Sequence, residues 1–208
     1  KYKSISVDKF IEMNLSYTDM EKIKIYHRRE NYGFTKDDFL IVTVGTRLKK
    51  EIDYKMVQNM ITFLDNNSRA RWILIGDGAG DAFNQYSNYF KEHRIIEWGM
   101  EEHLMSLYTM CDVYINPIRK GGGLSIRQAM IAGLPIISSD YNMSTLNMMK
   151  KEHIVHGDYN EMMIYMESLL KDSKKYQKIK RETLHQMENK SVENDVLVLI
   201  NRLENIFK

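Results

Sequence analysis

Residues 116–137 read NPIRKGGGLSIRQAMIAGLPII, and the order of residue types in them decides the fold. The short apolar run before them, Val113-Tyr114-Ile115, has the composition of a buried strand. Gly121, Gly122 and Gly123 come next, then a helical pattern with Ile126, Ala129 and Met130 on one face. Gly133 is placed to stop that helix, and Pro135 opens another apolar run. The succession is strand, glycine loop, helix, strand. The first N–H groups of a helix have no partner inside it, and the helix dipole makes that end positive. Glycines let a ligand approach the bare backbone. Together they suit an anion, phosphate above all, and Arg119 and Lys120 just before the glycines could add full charge. A tight turn carrying solvated basic residues would have the same sequence.

The same alternation extends on both sides. Phe39 to Val44 (FLIVTV) is an uninterrupted strand signal turned by Gly45-Thr46-Arg47, and Asp53 can cap a helix through Asn66. Trp72 to Ile75 (WILI) is a second strand running into Gly76-Asp77-Gly78-Ala79-Gly80, and a polar helix follows to about Lys91. Ile95 to Trp98 is a third strand closed by Gly99. Glu101 to Met110 reads as a helix with Leu104, Leu107 and Tyr108 inward. Val113 to Ile115 is the fourth strand, Pro135 to Ser138 the fifth, and Ile154-Val155 a short sixth.

The flanks are weaker. Met20 to Tyr32 has the spacing of a helix ended by Gly33, within a polar lead-in segment, 1–38. In the tail, Asn160 to Lys171 buries Met162, Met166, Leu169 and Leu170, and Ser173 to about Asn189 is so charged that an exposed helix is expected. Ser191 to Phe207 places Val196, Leu199, Ile200 and Leu203 on one face. With no linker and no second core, 1–208 reads as one domain. Strands alternating with helices imply a doubly wound, mostly parallel, Rossmann-like α/β sheet. Such sheets bind ligands at the carboxyl ends of their strands, near a switch in strand order. The turns after the first four strands all fall on that edge.

Composition sets outer limits. The 208 residues are 43% hydrophobic and 28% charged, as in ordinary globular chains, and a net charge of +2 is too small to argue for nucleic acid. No apolar run approaches a membrane span, and KYKSISVDKF has no secretory core. A cytoplasmic location is the expectation. The first residue is not Met, as expected of a piece of something longer. Cys111 is the single cysteine, so no intrachain disulfide forms; its helical spacing from Leu107 and Tyr108 favours a core residue over a nucleophile. No Asp-x-Asp is present and the six histidines form no ligand cluster, so no metal is expected. Gly-x-Gly-x-x-Gly is absent after the first strand, which counts against a nicotinamide enzyme.

Several segments, taken in order, resemble the C-terminal, nucleotide-sugar-binding domain of GT-B glycosyltransferases, especially the large retaining family 4. VGTRLKKE resembles the first-strand signature, WILIGDG the second strand, and IIEWGMEEHLMSLYTMCDVYINP the run from third strand to fourth. GGGLSIRQAMIAGLPII resembles "GfGlsvlEAmAaGlPVi", and DYNEMMIYMESLLKDSKKY the family's closing helix. The likeness covers residues 39–188 and implies an NDP-sugar donor, a UDP-sugar first, lying across the strand ends. It implies that Arg47 contacts the donor pyrophosphate, unless it only pairs with Glu51. The family's partner lysine aligns with Ile52, so Lys49 or Lys50 stands in or that charge is absent. Gly121, Gly122, Gly123, Leu124 and Ser125 match the loop on the phosphates and sugar, and Gly45 the turn of the first strand. Gly76 and Gly78 match the loop beneath the nucleoside. Trp98 and Gly99 match the place where the base meets main chain, though Trp98 also suits plain core.

One departure stands out. The family's two glutamates, spaced E-x7-E, align here with Lys120 and Gln128. Gln128 can still hydrogen-bond a ribose, whereas Lys120 can accept nothing and adds charge near the phosphates. The resemblance further implies metal-independent transfer, with Arg47 and Lys120 stabilising the leaving diphosphate. It implies an acceptor-binding N-terminal domain outside this chain, with 190–208 crossing back toward it, and membrane association only through that missing part. Three alternatives remain: a GT-B epimerase, a non-catalytic glycosyltransferase-like module that binds a partner protein, and a general nucleotide-binding domain.

Overall fold

The computed structural model describes residues 23–119, 123–141, 149–188, 196, 197, 200, 201 and 203–205. The readings placed on Lys120, Gly121 and Gly122, and most of those on residues 1–22 and 189–208, lie outside these. Five parallel strands form one sheet: β1 (Phe39–Gly45), β2 (Ala70–Gly76), β3 (Ile95–Gly99), β4 (Val113–Ile115) and β5 (Ile136–Ile137). The order across the sheet is β3-β2-β1-β4-β5, so the chain steps outward on one side of β1 and then crosses to the other. The helices are α1 (Leu48–Glu51), α2 (Tyr54–Asn66), α3 (Ser87–Lys91), α4 (Leu104–Met110), α5 (Gly123–Ile131), α6 (Tyr159–Lys171) and α7 (Ser173–Glu188).

The centre of the sheet is buried on both faces because its strands are apolar at nearly every position; Thr43 is buried in β1, while Arg71 of β2 is only half-buried and Glu97 of β3 is exposed. Successive side chains point to opposite faces, which divides the core in two. Ile41, Trp72, Leu74, Val113, Ile115 and Ile137 pack on one side with α2 and α6. Leu40, Val42, Ile73, Ile75, Tyr114 and Ile136 pack on the other with α4 and α5. Asp53 caps α2, accepting from Met56 N–H at 2.8 Å, and Asp158 caps α6 through Asn160 N–H at 2.9 Å. Trp72 meets the polar interior through its indole N–H, which donates to Thr43 Oγ1 at 2.9 Å; that hydroxyl donates to Ile115 O.

Four expectations are corrected. Residues 23–28 are not helical; a 3-10 turn spans Arg29–Tyr32 and Gly33 ends it. Tertiary bonds override the helical spacing here. Tyr26 N–H and His27 N–H both donate to Ser106 Oγ, at 2.7 and 2.9 Å, holding the segment out as a strap on α4. Asp81–Tyr86 is a 3-10 helix that leads into the short α3 instead of one polar helix. The sixth strand is a single parallel bridge, Ser139 with Val155. The charged α7 is not simply exposed: Ile179, Thr183 and Met187 recur every four residues and are buried.

Candidate functional site

The strand order reverses between β1 and β4, and a cavity of about 390 Å³ opens there at the carboxyl ends of the strands. Its lining comes from the ends of β1 (Val44, Gly45) and β2 (Ile75, Gly76), from Thr46, Arg47 and Glu51 around α1, and from Met100, Glu101 and Leu104 after β3. Arg119 and the start of α5, with Gly123, Leu124, Ser125 and Gln128, complete it.

The walls come together because two glycines allow it. A Cβ on Gly76 would overlap Gly45 O, and Gly76 has φ 133°, so neither space nor conformation admits another residue. A Cβ on Gly45 would press on Arg119 Nη1 and come within 2.9 Å of Leu48 Cδ2. Arg119 therefore lies flat against the turn after β1. It is 6% exposed, and donates to Val44 O at 2.7 Å and to Asn116 Oδ1 at 3.1 Å; Nη1 bonds Glu51 Oε2. It is thus a fixed cation in the cavity wall, unlike the solvated side chain that its place before the glycines allowed. Arg47 behaves differently. Its side chain is 70% exposed and Nη2 donates to the other oxygen of Glu51, at 2.9 Å. Glu51, 15% exposed, stands between the two guanidinium groups.

The opposite wall is the α5 N-terminus. Ser125 is backed by two buried tyrosines: its hydroxyl is 2.9 Å from Tyr114 OH, and its carbonyl accepts from Tyr108 OH at 3.2 Å. Burial pushes both phenols up from the ordinary tyrosine value, so they stay neutral hydrogen-bonding groups. Tyr114 OH also lies 3.5 Å from Val44 O and 3.4 Å from Arg119 Nη2. One phenol thereby links the helix start to the β1 turn.

Not all the sequence candidates meet in the cavity. Ile52, which takes the lysine's place, is 3% exposed within the core. Lys49 and Lys50 are exposed and do not line the cavity; Lys49 N–H instead donates to Asp77 Oδ1 at 3.3 Å. Gly78 is outside the lining and lies against Glu97, whose Oε1 accepts from Ala79 N–H at 2.6 Å. Trp98 and Gly99 are also outside it. The indole packs edge-on against Tyr32 and His27, with ring centroids 4.6 and 5.7 Å away, and its N–H donates to Glu101 Oε2 at 2.9 Å. Glu101 was missed from sequence. It lines the cavity, accepts from His103 N–H at 2.6 Å and sits 3.2 Å from His27 Nε2. Burial alone would raise its pKa, but the hydrogen bonds from Trp98 and His103 N–H, with the His27 ring close by, hold it below the usual glutamate range. Glu51 was noticed only as a partner for Arg47. The cue to its second partner is spatial, since Arg119 lies 68 positions away.

Cys111 is buried, and desolvation drives its thiol well above the ordinary value, which suits packing and not nucleophilic attack. Among the described residues no group of three His, Cys, Asp or Glu side chains could hold a metal ion. Nor, among these residues, is any helix long and apolar enough to cross a membrane.

The profile of a protein family described as "Glycosyl transferases group 1" matches residues 26–186, more than half of the chain. A search of curated proteins found no significant match. Solved structures do match in fold. A mutant of S. aureus TarM in complex with Fondaparinux, alpha-GlcNAc-glycerol and UDP aligns with a TM-score of 0.64 at 13% identity, over 82% of this chain and 37% of that one. Anabaena HepE in complex with UDP and glucose gives 0.64 at 15%, over 85% and 51%. The pneumococcal O-GlcNAc transferase GtfA in complex with UDP and GlcNAc gives 0.62 at 16%, over 81% and 36%. The present chain thus spans between about a third and a half of each of these proteins.

Proposed function

Because this chain belongs to the glycosyl transferases group 1 family, we propose that it supplies the donor-binding half of a glycosyltransferase, holding an NDP-sugar, a UDP-sugar first, for metal-independent and retaining transfer to an acceptor. The observation that carries the reading is the cavity at the strand-order reversal, where the α5 N-terminus faces Arg47 and Arg119. Such a place suits a diphosphate on three counts. The helix start offers N–H groups and positive potential. Guanidinium groups bind phosphate oxygens in pairs. The helix start and Arg119 are preorganised, so they stabilise the charge that develops on a departing diphosphate without a metal. Arg119 takes the part of the second cation that the sequence left to Lys49 or Lys50. Gln128 and Ser125 are the polar groups for the sugar part of the donor. The UDP in the complexes of the similar proteins supports uracil as the first base to try.

An acceptor domain N-terminal to this one, with the reaction in the cleft between the two, completes the proposal. This chain alone then binds the donor and transfers little. Assembly of an envelope or capsular polysaccharide is the process to which the reading points. A second reading, a non-catalytic module that binds a partner protein, draws on the Lys120 and Gln128 positions and on the pairing of both arginines with Glu51.

One titration separates the two. UDP, GDP, ADP and their sugars are titrated calorimetrically into the chain, with Arg47→Ala as the control. The donor reading expects selective binding of one diphosphate, weakened about tenfold in Arg47→Ala, the worth of one charge-assisted phosphate contact. Absence of binding by the folded protein supports the partner-binding module instead.

A further inference from the structure

We infer that Glu51 is a positioning residue that competes with the donor diphosphate for Arg47 and, through the repulsion of its own charge, favours release of free nucleoside diphosphate over the sugar-bearing donor. The inference rests on the donor-binding reading and adds a residue to it.

The argument starts from the unequal hold on the two ends of one carboxylate. Arg119 fixes one oxygen and is itself tied to Val44 O, Asn116 and Tyr114, so Glu51 cannot turn away. The other oxygen holds Arg47, whose exposed side chain has this as its one hydrogen bond among the described residues. Arg47 is therefore the member that can leave. All three groups line the cavity. A diphosphate entering beside them meets a fixed negative charge and a cation already engaged. It must draw Arg47 off Glu51, and it stays under repulsion from that carboxylate afterwards. The first cost is the same for any diphosphate, whereas the repulsion scales with the ligand's charge. The terminal phosphate of a free nucleoside diphosphate has a second ionisation near neutrality, as phosphate monoesters do, with a pKa of about 6. In the sugar nucleotide that oxygen is esterified and the charge is absent. Glu51 therefore penalises the product more than the substrate. A surface arginine with a free fork would hold the product at least as tightly as the donor. The arrangement differs from a simple structural salt bridge in one respect, that its exposed half points into the cavity.

The test is calorimetry on the whole chain with UDP and UDP-glucose as probes, comparing wild type with Glu51→Gln, Arg47→Ala and the double variant. Glutamine keeps the side-chain length and an acceptor for Arg119 while removing the charge. The expected result is UDP binding roughly fivefold tighter in Glu51→Gln, the worth of an exposed ion pair. UDP-glucose tightens by about half that factor or less, because it carries less charge. In the Arg47→Ala background the gain common to the two ligands is lost and only the charge-dependent difference between them remains. An unchanged ratio of the two affinities in Glu51→Gln, with binding intact, overturns the inference and leaves the donor reading standing. Binding of neither ligand by any variant overturns both. If Glu51→Gln melts earlier than wild type, the ratio at low temperature still decides, since partial unfolding weakens both ligands by one factor.

Discussion

Two arginine–carboxylate clusters sit at opposite ends of the same sheet, and they teach different things. At the amino ends of the strands, Arg29 is closed. Nε donates to Met110 O at 2.7 Å, Nη1 to Asp38 O at 2.9 Å and to Thr35 O at 3.3 Å, and Nη2 to Asp112 Oδ2 at 2.7 Å. The same Asp112 oxygen accepts from Leu40 N–H at 2.7 Å, so the pair pins the strap to the β1 and β4 starts. At the carboxyl ends, Glu51 is shared and Arg47 points most of its fork to water. The residue chemistry is identical. What separates the two is whether every guanidinium nitrogen is engaged, as in Arg29, or most of the fork is left to water, as in Arg47.

Substitutions can break that comparison. The largest effect belongs to Arg29→Ala, which leaves the half-buried Asp112 without its cation. It should cost about 3 kcal/mol of stability, read from the urea midpoint, while nucleotide affinity in the folded protein hardly changes. Arg47→Ala should invert the pattern, moving the midpoint by less than about 0.5 kcal/mol and the affinity about tenfold. Equal stability losses from the two would erase the distinction. Tyr114→Phe comes next. It removes the phenol between Ser125 and the β1 turn and leaves that hydroxyl one partner short, for about 1 kcal/mol in the midpoint.

The smallest effect concerns pH. Glu101 has a depressed pKa in the folded state, so it contributes stability above the unfolded glutamate value that is lost as pH falls through its folded one. Comparing wild type with Glu101→Gln by urea unfolding should show a gap near pH 7 that closes below about pH 4. A gap that stays constant with pH would mean that Glu101 holds the strap through shape and not through charge.

The legible parts of the chain were those written locally. FLIVTV and WILI are apolar but for Thr43, the pattern of a strand buried on both faces, and Asp53 and Gly133 mark the helix ends they cap. What escaped was set by distant partners. The 20–32 segment has helical spacing, yet its backbone N–H groups serve Ser106 about 80 positions on, and no window on the sequence contains that bond. The charged surface of α7 hid the four-residue rhythm of Ile179, Thr183 and Met187. At the site, phosphate chemistry singles out the glycine loop and the family resemblance singles out Arg47, and Gly45, Gly76, Gly123 and Arg47 line one cavity. Glu51 was passed over for the converse reason: its sign is wrong for a phosphate contact, and only the fold shows it between two cations. Of the two outcomes that the alignment of Ile52 leaves, a stand-in at Lys49 or Lys50 or no charge there, the cavity lining includes neither lysine.

The unequal seams of the sheet carry one more consequence. β1 is aligned with β2 over seven residue pairs but with β4 over two, Ile41 with Val113 and Val42 with Tyr114. The half that holds β4, α5 and β5 is therefore lightly stitched to the half that holds β1 to β3. The cavity lies across that seam. A ligand gripping the β1 turn on one side and the α5 start on the other acts as a suture, and its binding energy becomes cohesion between the two halves. Amide exchange in β4 and β5 would slow whenever the cavity is filled, although no ligand atom need touch either strand.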